Sequence, residues 1–242
     1  QGLRVAIMGQ FNFLTTDVLT IQASGLQTGP PGEGVVNPLL EHYVSDLSRL
    51  GGVDRAIGRI IESAKIEFNG FTDFSFAASI PDGQDRKEIE RIVNLEPSQG
   101  RLLKDGDVNK VVLGTNYIKS ETFGKPVQLR DTVTVQGEEF EVVGILEKKG
   151  SFIIDNAILL NEDVLKHLFT VNDTYDVVVV KVLPGQNMAL VKERVEDYLR
   201  KERDVDKGEE DFSVQSPEQA LANLDSTLFA IQIFVYVIAG IS

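Results

Sequence analysis

The sequence has no cysteine, which excludes a disulfide framework and any thiolate metal site. Histidine is nearly as scarce, with two in 242 residues. His42 stands between Glu41 and Tyr43, and His167 follows Lys166, with no HExxH spacing, so the pair makes a poor metal or acid/base set and reads as surface or core-edge histidine. No GxSxG nucleophile elbow occurs, and no GxxxxGK(S/T) loop, so the chain cannot hold a nucleotide in P-loop fashion. Basic residues are few: 24 Lys and Arg against 37 Asp and Glu leave a net charge of -13. That balance excludes nucleic acid, whose phosphates need a Lys/Arg surface, and broad adhesion to anionic lipid. It points instead to an apolar, cationic or protein partner. Two acidic clusters fail as calcium loops. Asp105-Gly106-Asp107-Val108-Asn109 has Lys110 in the sixth place and Asn116 in the twelfth, where Gly and Glu are needed. Asp204-Val205-Asp206 has Gly208 out of register. Both read as solvated turns. No cofactor and no metal is therefore expected.

What is present is a chain long enough for one large domain or two small ones, 42% apolar. Leu14 to Gln22 alternates as a strand, and the Gly/Pro-rich stretch 25–34 is a loop whose Gln27, Thr28, Pro30 and Pro31 are candidates for contact with a partner, or a mere connector. Asn37-Pro38 marks a helix start, with Leu40, Tyr43, Val44, Leu47 and Leu50 as one stripe ended by Gly51-Gly52. Ala56 to Ile80 reads as one or two strands. DVVVVKV (176–182) is a buried-type strand, 187–203 a helix with Val191, Val195, Tyr198 and Leu199 inward, and FSVQ (212–215) a strand. Strand-helix-strand at either end of the chain gives an α+β fold, a split βαβ (ferredoxin-like) sandwich with an insertion in its middle. Within the insertion, Gln136-Gly137 sits where a tight hairpin needs positive φ, with Val133, Val135, Phe140 and Val142 turned inward. Gly144 inside the second strand predicts a bulge or close backbone approach. Phe68, Phe71, Phe74 and Phe76, in SAKIEFNGFTDFSFAASI, are candidates for an apolar groove or subunit interface, or for a core shared between the two parts.

The two ends add an expectation of their own. QGLRVAIMG at 1–9 is no signal peptide and reads as a chain entered in mid-element. Ser216-Pro217-Glu218-Gln219 is a helix start with a capping box, and the helix turns apolar all round in LFAIQIFVYVIAGIS (228–242), short of the roughly 20 residues of a span. The sequence thus predicts an extracytoplasmic region between two membrane spans.

VVLGTNYIKSETFGKPVQLRDTVTVQGEEFEVVGIL, with LEPSQGRLL (95–103) before it and DNAILL (155–160) after it, resembles the extracytoplasmic core domain of MacB/FtsX-type ABC transporter permeases over residues 95–170. It departs from that pattern in Thr122 before Phe123, where Leu is usual, in Arg130-Asp131, where Gly-Asp is common, and in Asn161, where Pro often stands. The resemblance implies a Porter-like subdomain (14–82 and 172–216), an inserted β-rich Sabre-like subdomain (83–171), and stalk helices at 1–13 and 217–242, the latter running into the start of a span. It also implies a membrane location with this domain outside, a cytoplasmic ABC ATPase as partner, a homodimer or paired permease, and no catalysis in this chain. On this reading the domain couples ATP-driven movement to export, or to an extracellular substrate or partner that is an apolar small molecule, a lipid or a protein. The alternative it leaves open is a non-transporting, FtsX-like module that docks a cell-wall hydrolase or another protein. An extracellular enzyme is disfavoured, since no acid/base, nucleophile or metal set assembles.

Overall fold

A computed structural model describes residues 17–24, 35–216 and Gln219. The segments expected as stalk helices (1–13 and 217–242), the apolar run 228–242 and the loop 25–34 lie outside the described residues, Gln219 apart. At that residue the expected capping box is in place: the Ser216 amide donates to Gln219 Oε1 (3.2 Å) and the Gln219 amide to Ser216 Oγ (3.3 Å).

In chain order the elements are β1 (Val18–Ala23), β2 (Leu39–Leu40), α1 (Glu41–Leu47), β3 (Val53–Arg59), β4 (Ile61–Phe68), β5 (Phe71–Ile80), α2 (Gly83–Ile92), β6 (Pro97–Gly100) and β7 (Lys110–Leu113). A 3-10 turn (Thr115–Ile118) leads into α3 (Ser120–Phe123), β8 (Thr132–Val135), β9 (Glu138–Leu146), α4 (Phe152–Asp155), β10 (Ile158–Asn161) and α5 (Glu162–Phe169). The chain continues through β11 (Thr174–Tyr175), β12 (Val177–Val182), α6 (Met188–Arg203) and β13 (Phe212–Gln215).

Four strands form one antiparallel sheet in the order β13-β1-β12-β3. Helix α1 lies on the path from β1 to β3 and α6 joins β12 to β13, while β12 sits between β1 and β3. The valines of β12 explain why this strand reads as apolar throughout: Val178, Val180 and Val182 join Leu47 of α1 and Val191, Val195 and Leu199 of α6 in one buried cluster, whereas Val179 packs with Ile57 in a second. Helix α6 follows its sequence pattern, with Asn187 Oδ1 accepting from the amides of Ala189 (3.0 Å) and Leu190 (3.3 Å) as N-cap. Helix α1 departs from its pattern. It begins at Glu41 rather than at the Asn37-Pro38 signal because Leu39 and Leu40 pair with Tyr175 and Thr174, and Asn37 donates instead to Asp211 (2.9 Å).

Seven of the remaining nine strands run in the order β6-β9-β7-β10-β5-β4-β8, with β8 also paired to β9, while β2 and β11 pair with each other. That last pairing closes β9-β7-β10-β5-β4-β8 into a ring, which leaves no free edge among those six strands. The Gln136-Gly137 hairpin has φ of 51° and 90° and joins Val135 directly to its partner Glu138, as the two-residue turn requires. At Gly144 the register of β7 against β9 shifts, and a Cβ there would stand 2.1 Å from the Arg101 carbonyl oxygen, so the strand does carry a bulge at a close backbone approach. Arg130, the residue found where Gly is common in the resembling family, has φ of 70°, in the left-handed region that glycine tolerates best.

Ala56 to Ile80, read from the sequence as one or two strands, forms β3, β4 and β5. Residues 61–80 pair into the seven-stranded sheet, although their sequence position groups them with 14–82. The chain crosses between sheets at Ile60, fully buried, whose amide donates to Ser79 Oγ (2.9 Å) while its carbonyl accepts from the Ser79 amide (2.9 Å). Residue Asp176 fastens the same crossing, its amide donating to the Arg59 carbonyl (3.0 Å) and its Oδ2 accepting from the Ile61 amide (2.7 Å).

Candidate functional site

The phenylalanine-rich segment is a β-hairpin. Phe68 of β4 pairs with Phe71 of β5 across an Asn69-Gly70 turn with φ of 53° and 77°. Strand alternation puts Phe68 and Phe71 on one face and Phe74 and Phe76 on the other. Phe68 is buried against Phe123 (ring centroids 5.8 Å apart), which stacks on Tyr117 (5.7 Å), and Lys125 Nζ lies 4.7 Å from the Phe68 ring centre. Phe71 is half exposed and Phe74 is 74% exposed. The structure therefore brings together Phe68 and Phe71, and separately Phe74 and Phe76, but does not gather all four into a single groove. Candidate loop residues Gln27, Thr28, Pro30 and Pro31 lie outside the described residues.

An apolar cavity of about 200 Å³ lies at the seam between the two sheets. The four-stranded sheet contributes Arg59, Val177 and Val179, the larger sheet Ile61, Ala78, Leu146 and Leu159, and α4 adds Ile153 and Ile154. This face of β3 and β12 is free for the purpose because α1 and α6 pack on the opposite one. Arg59 is the exceptional member. It is 9% exposed, its Nε has no hydrogen-bond partner, and no carboxylate pairs with its guanidinium among the described residues. Burial pushes its pKa down to about 10, with the Glu162 charge acting weakly the other way. The other buried arginines, Arg86 and Arg203, each have a carboxylate partner, although Arg86 Nη1, like Arg59 Nε, has no hydrogen-bond partner. Arg203 makes two bonds to Asp211 (2.7 and 2.8 Å) and further bonds to the carbonyls of Asn37 and Pro38. Arg86 reaches Asp105, Asp82 and Asn161. Sequence reasoning missed Arg59; its one signal is an arginine set among apolar residues in Ile57-Gly58-Arg59-Ile60-Ile61.

The acidic turns have structural partners. Asp105 accepts from the Gly83 amide (3.1 Å) and Arg86 (2.8 Å), which together hold its carboxyl below the usual range. Asp107 accepts from Arg101 (2.6 Å) and the Lys104 amide (2.9 Å). Asn161, where the resembling family often has Pro, donates to the carbonyls of Lys104 (2.9 Å) and Asp107 (3.0 Å), tying this turn to β10. Asp204 closes α6 in the left-handed conformation. His42 and His167 are both exposed. Among the described residues no three His, Asp or Glu side chains gather as a metal site, and no helix is long and apolar enough to cross a membrane.

Comparison with known proteins agrees with this geometry. Residues 1–198 match the model of the MacB-like periplasmic core domain. An uncharacterized ABC transporter permease of Methanocaldococcus jannaschii is 31% identical over 200 residues, 82% of this chain. The chain spans about half that relative's length, 48%. The fold is similar to that of the periplasmic region of MacB from Actinobacillus actinomycetemcomitans, with TM-score 0.65 and 16% identity over 90% of this chain and 97% of that one. It is also similar to the extracellular domain of the noncanonic ABC-type transporter YknZ from Gram-positive bacteria, with TM-score 0.60 and 15% identity over 82% of this chain and all of that one (100%). The chain belongs to the MacB-like periplasmic core domains, the extracytoplasmic domains of MacB/FtsX-type ABC transporter permeases.

Proposed function

We propose that this domain stands outside the membrane and relays movement, driven by a separate cytoplasmic ATPase, from the chain segments that flank it to whatever the outer face engages. One observation carries this reading. β1 and β13 are antiparallel neighbours with Thr20 opposite Gln215, so the chain enters before Val18 and leaves after Gln215 at the same end of adjacent strands. Two flanking helices displaced together would then pull on one edge of one sheet. The two sheets would follow as a unit, because one buried cluster contains Leu19 and Val178 of the first and Ile66 and Ile158 of the second. The four-stranded order, with a third strand between two that a helix joins, supports the Porter-like assignment, and the closed ring the Sabre-like one.

The chain itself performs no chemistry on this reading, and a pair of permeases in the membrane presents an apolar small molecule, a lipid or a protein to be moved. The test is to purify the full-length parent from its membrane and identify co-purifying proteins by mass spectrometry. A stoichiometric P-loop ATPase whose hydrolysis rate changes when residues 17–216 are deleted from the parent supports the proposal. A parent with no such partner, or one whose hydrolysis ignores the deletion, defeats it.

A further inference from the structure

The seam cavity presents a combination that the relay role does not require. A buried guanidinium in an apolar wall is costly unless an acceptor meets it, and native structures rarely leave such a group alone. Every other buried arginine described above has a carboxylate, and Arg59 has none. We propose that the missing acceptor is supplied by a ligand, and that the cavity binds a single-chain carboxylate amphiphile with its head on Arg59 and its alkyl chain against Leu146, Ile153, Ile154 and Val179.

Three features select this chemistry. The planar fork of an arginine matches a carboxylate with two parallel bonds, and such charge-assisted bonds strengthen where water is excluded. One cation lines the cavity, so one negative charge is balanced there, whereas a phosphate dianion would keep an excess charge among apolar walls. The size also fits an alkyl chain. At about 200 Å³ the space exceeds the roughly 150 Å³ of apolar cavities that hold a benzene-sized molecule. Ile153, 53% exposed, forms part of the rim and offers an apolar path outward for the remainder of a longer chain. The net charge of -13 does not forbid an anion here, since surface charges beyond a Debye length of about 8 Å are screened at physiological salt.

The inference goes beyond the permease reading and does not depend on it. Its test is isothermal titration of the 242-residue chain with decanoate below its micellar concentration, beside decan-1-ol, acetate and decyl phosphate. The expected result is saturable one-to-one binding of decanoate, at least about tenfold weaker in Arg59→Gln. Decan-1-ol should bind about tenfold weaker than decanoate to the wild type and equally to Arg59→Gln, and acetate should give no heat. Ala78→Leu, which keeps the arginine but fills the cavity from β5, should abolish binding, and it carries the test if Arg59→Gln does not fold by circular dichroism. Absence of saturable decanoate binding overturns the proposal, as does binding indifferent to both substitutions or to loss of the carboxylate. Tighter binding of decyl phosphate than of decanoate overturns the choice of head group. None of these outcomes bears on whether an ATPase co-purifies.

Discussion

Asp176 sits where the chain passes between the sheets, and its carboxyl should set the pH dependence of that junction. Burial pushes its pKa from 3.8 up to about 6, the Ile61 amide opposing and Glu62 reinforcing. In the unfolded chain the same carboxyl loses its proton near 3.8, so between about pH 4 and pH 6 the folded state binds more protons than the unfolded one. Stability therefore falls as pH rises through this window and is level above it. A shift of about two units corresponds to roughly 3 kcal/mol, and partial solvent access reduces this to on the order of 1–2 kcal/mol. Asp176→Asn removes the charge, while the amide oxygen of Asn still accepts from the Ile61 amide. The variant should melt about 2–8 °C above the wild type at pH 8, taking 2–4 °C per kcal/mol for a domain of this size. That advantage should shrink steadily below pH 6 and nearly vanish near pH 4. Thermal unfolding followed by circular dichroism at pH 4, 6 and 8 measures it. An advantage that is the same at all three pH values, or a variant less stable at pH 8, would refute the electrostatic argument.

Other substitutions probe separate parts of the molecule. In Gly144→Ala the new Cβ meets the Arg101 carbonyl oxygen at 2.1 Å; because the obstacle is backbone, the cost should be at least about 2–3 kcal/mol, and a melting temperature within 1 °C of wild type (well inside the roughly 2–4 °C expected per kcal/mol) would contradict the bulge geometry. Arg203→Ala strands the Asp211 carboxylate and two carbonyl acceptors, a loss of about 3–5 kcal/mol by denaturant unfolding at neutral pH. Arg203 holds the Asp211 carboxyl below its usual range, so the gap should narrow only as pH falls through that lowered value; a gap unchanged in acid would argue against the ion pair. Phe74→Ser should leave stability within about 0.5 kcal/mol, whereas Phe123→Ala, at 0% exposure, should lose about 3–5 kcal/mol. Equal effects of the two would mean that the hairpin faces are misassigned.

Local physics made much of this protein legible. The apolar stripe of α6 comes directly from helical spacing, the tight turn at Gln136-Gly137 from positive φ, and the capping box at Ser216 and Gln219 from side-chain chemistry within four residues. Gly144 announced a close approach because no other residue lacks a Cβ. The ordered motifs between residues 95 and 170 were enough to identify the family. What the chain does not write locally is partnership. Ile57 pairs with Val179 and Ile158 with Ala77 through backbone groups that are the same in every residue, so neither pairing leaves a mark at its own position. For that reason only the tertiary structure decided that β4 and β5 join the larger sheet, that Leu39 begins a strand pair instead of a helix, and that the four phenylalanines divide between two faces. Arg59 belongs with these. An arginine becomes unusual only when a folded surface removes it from water and supplies no acceptor, and that is a property of the space around it.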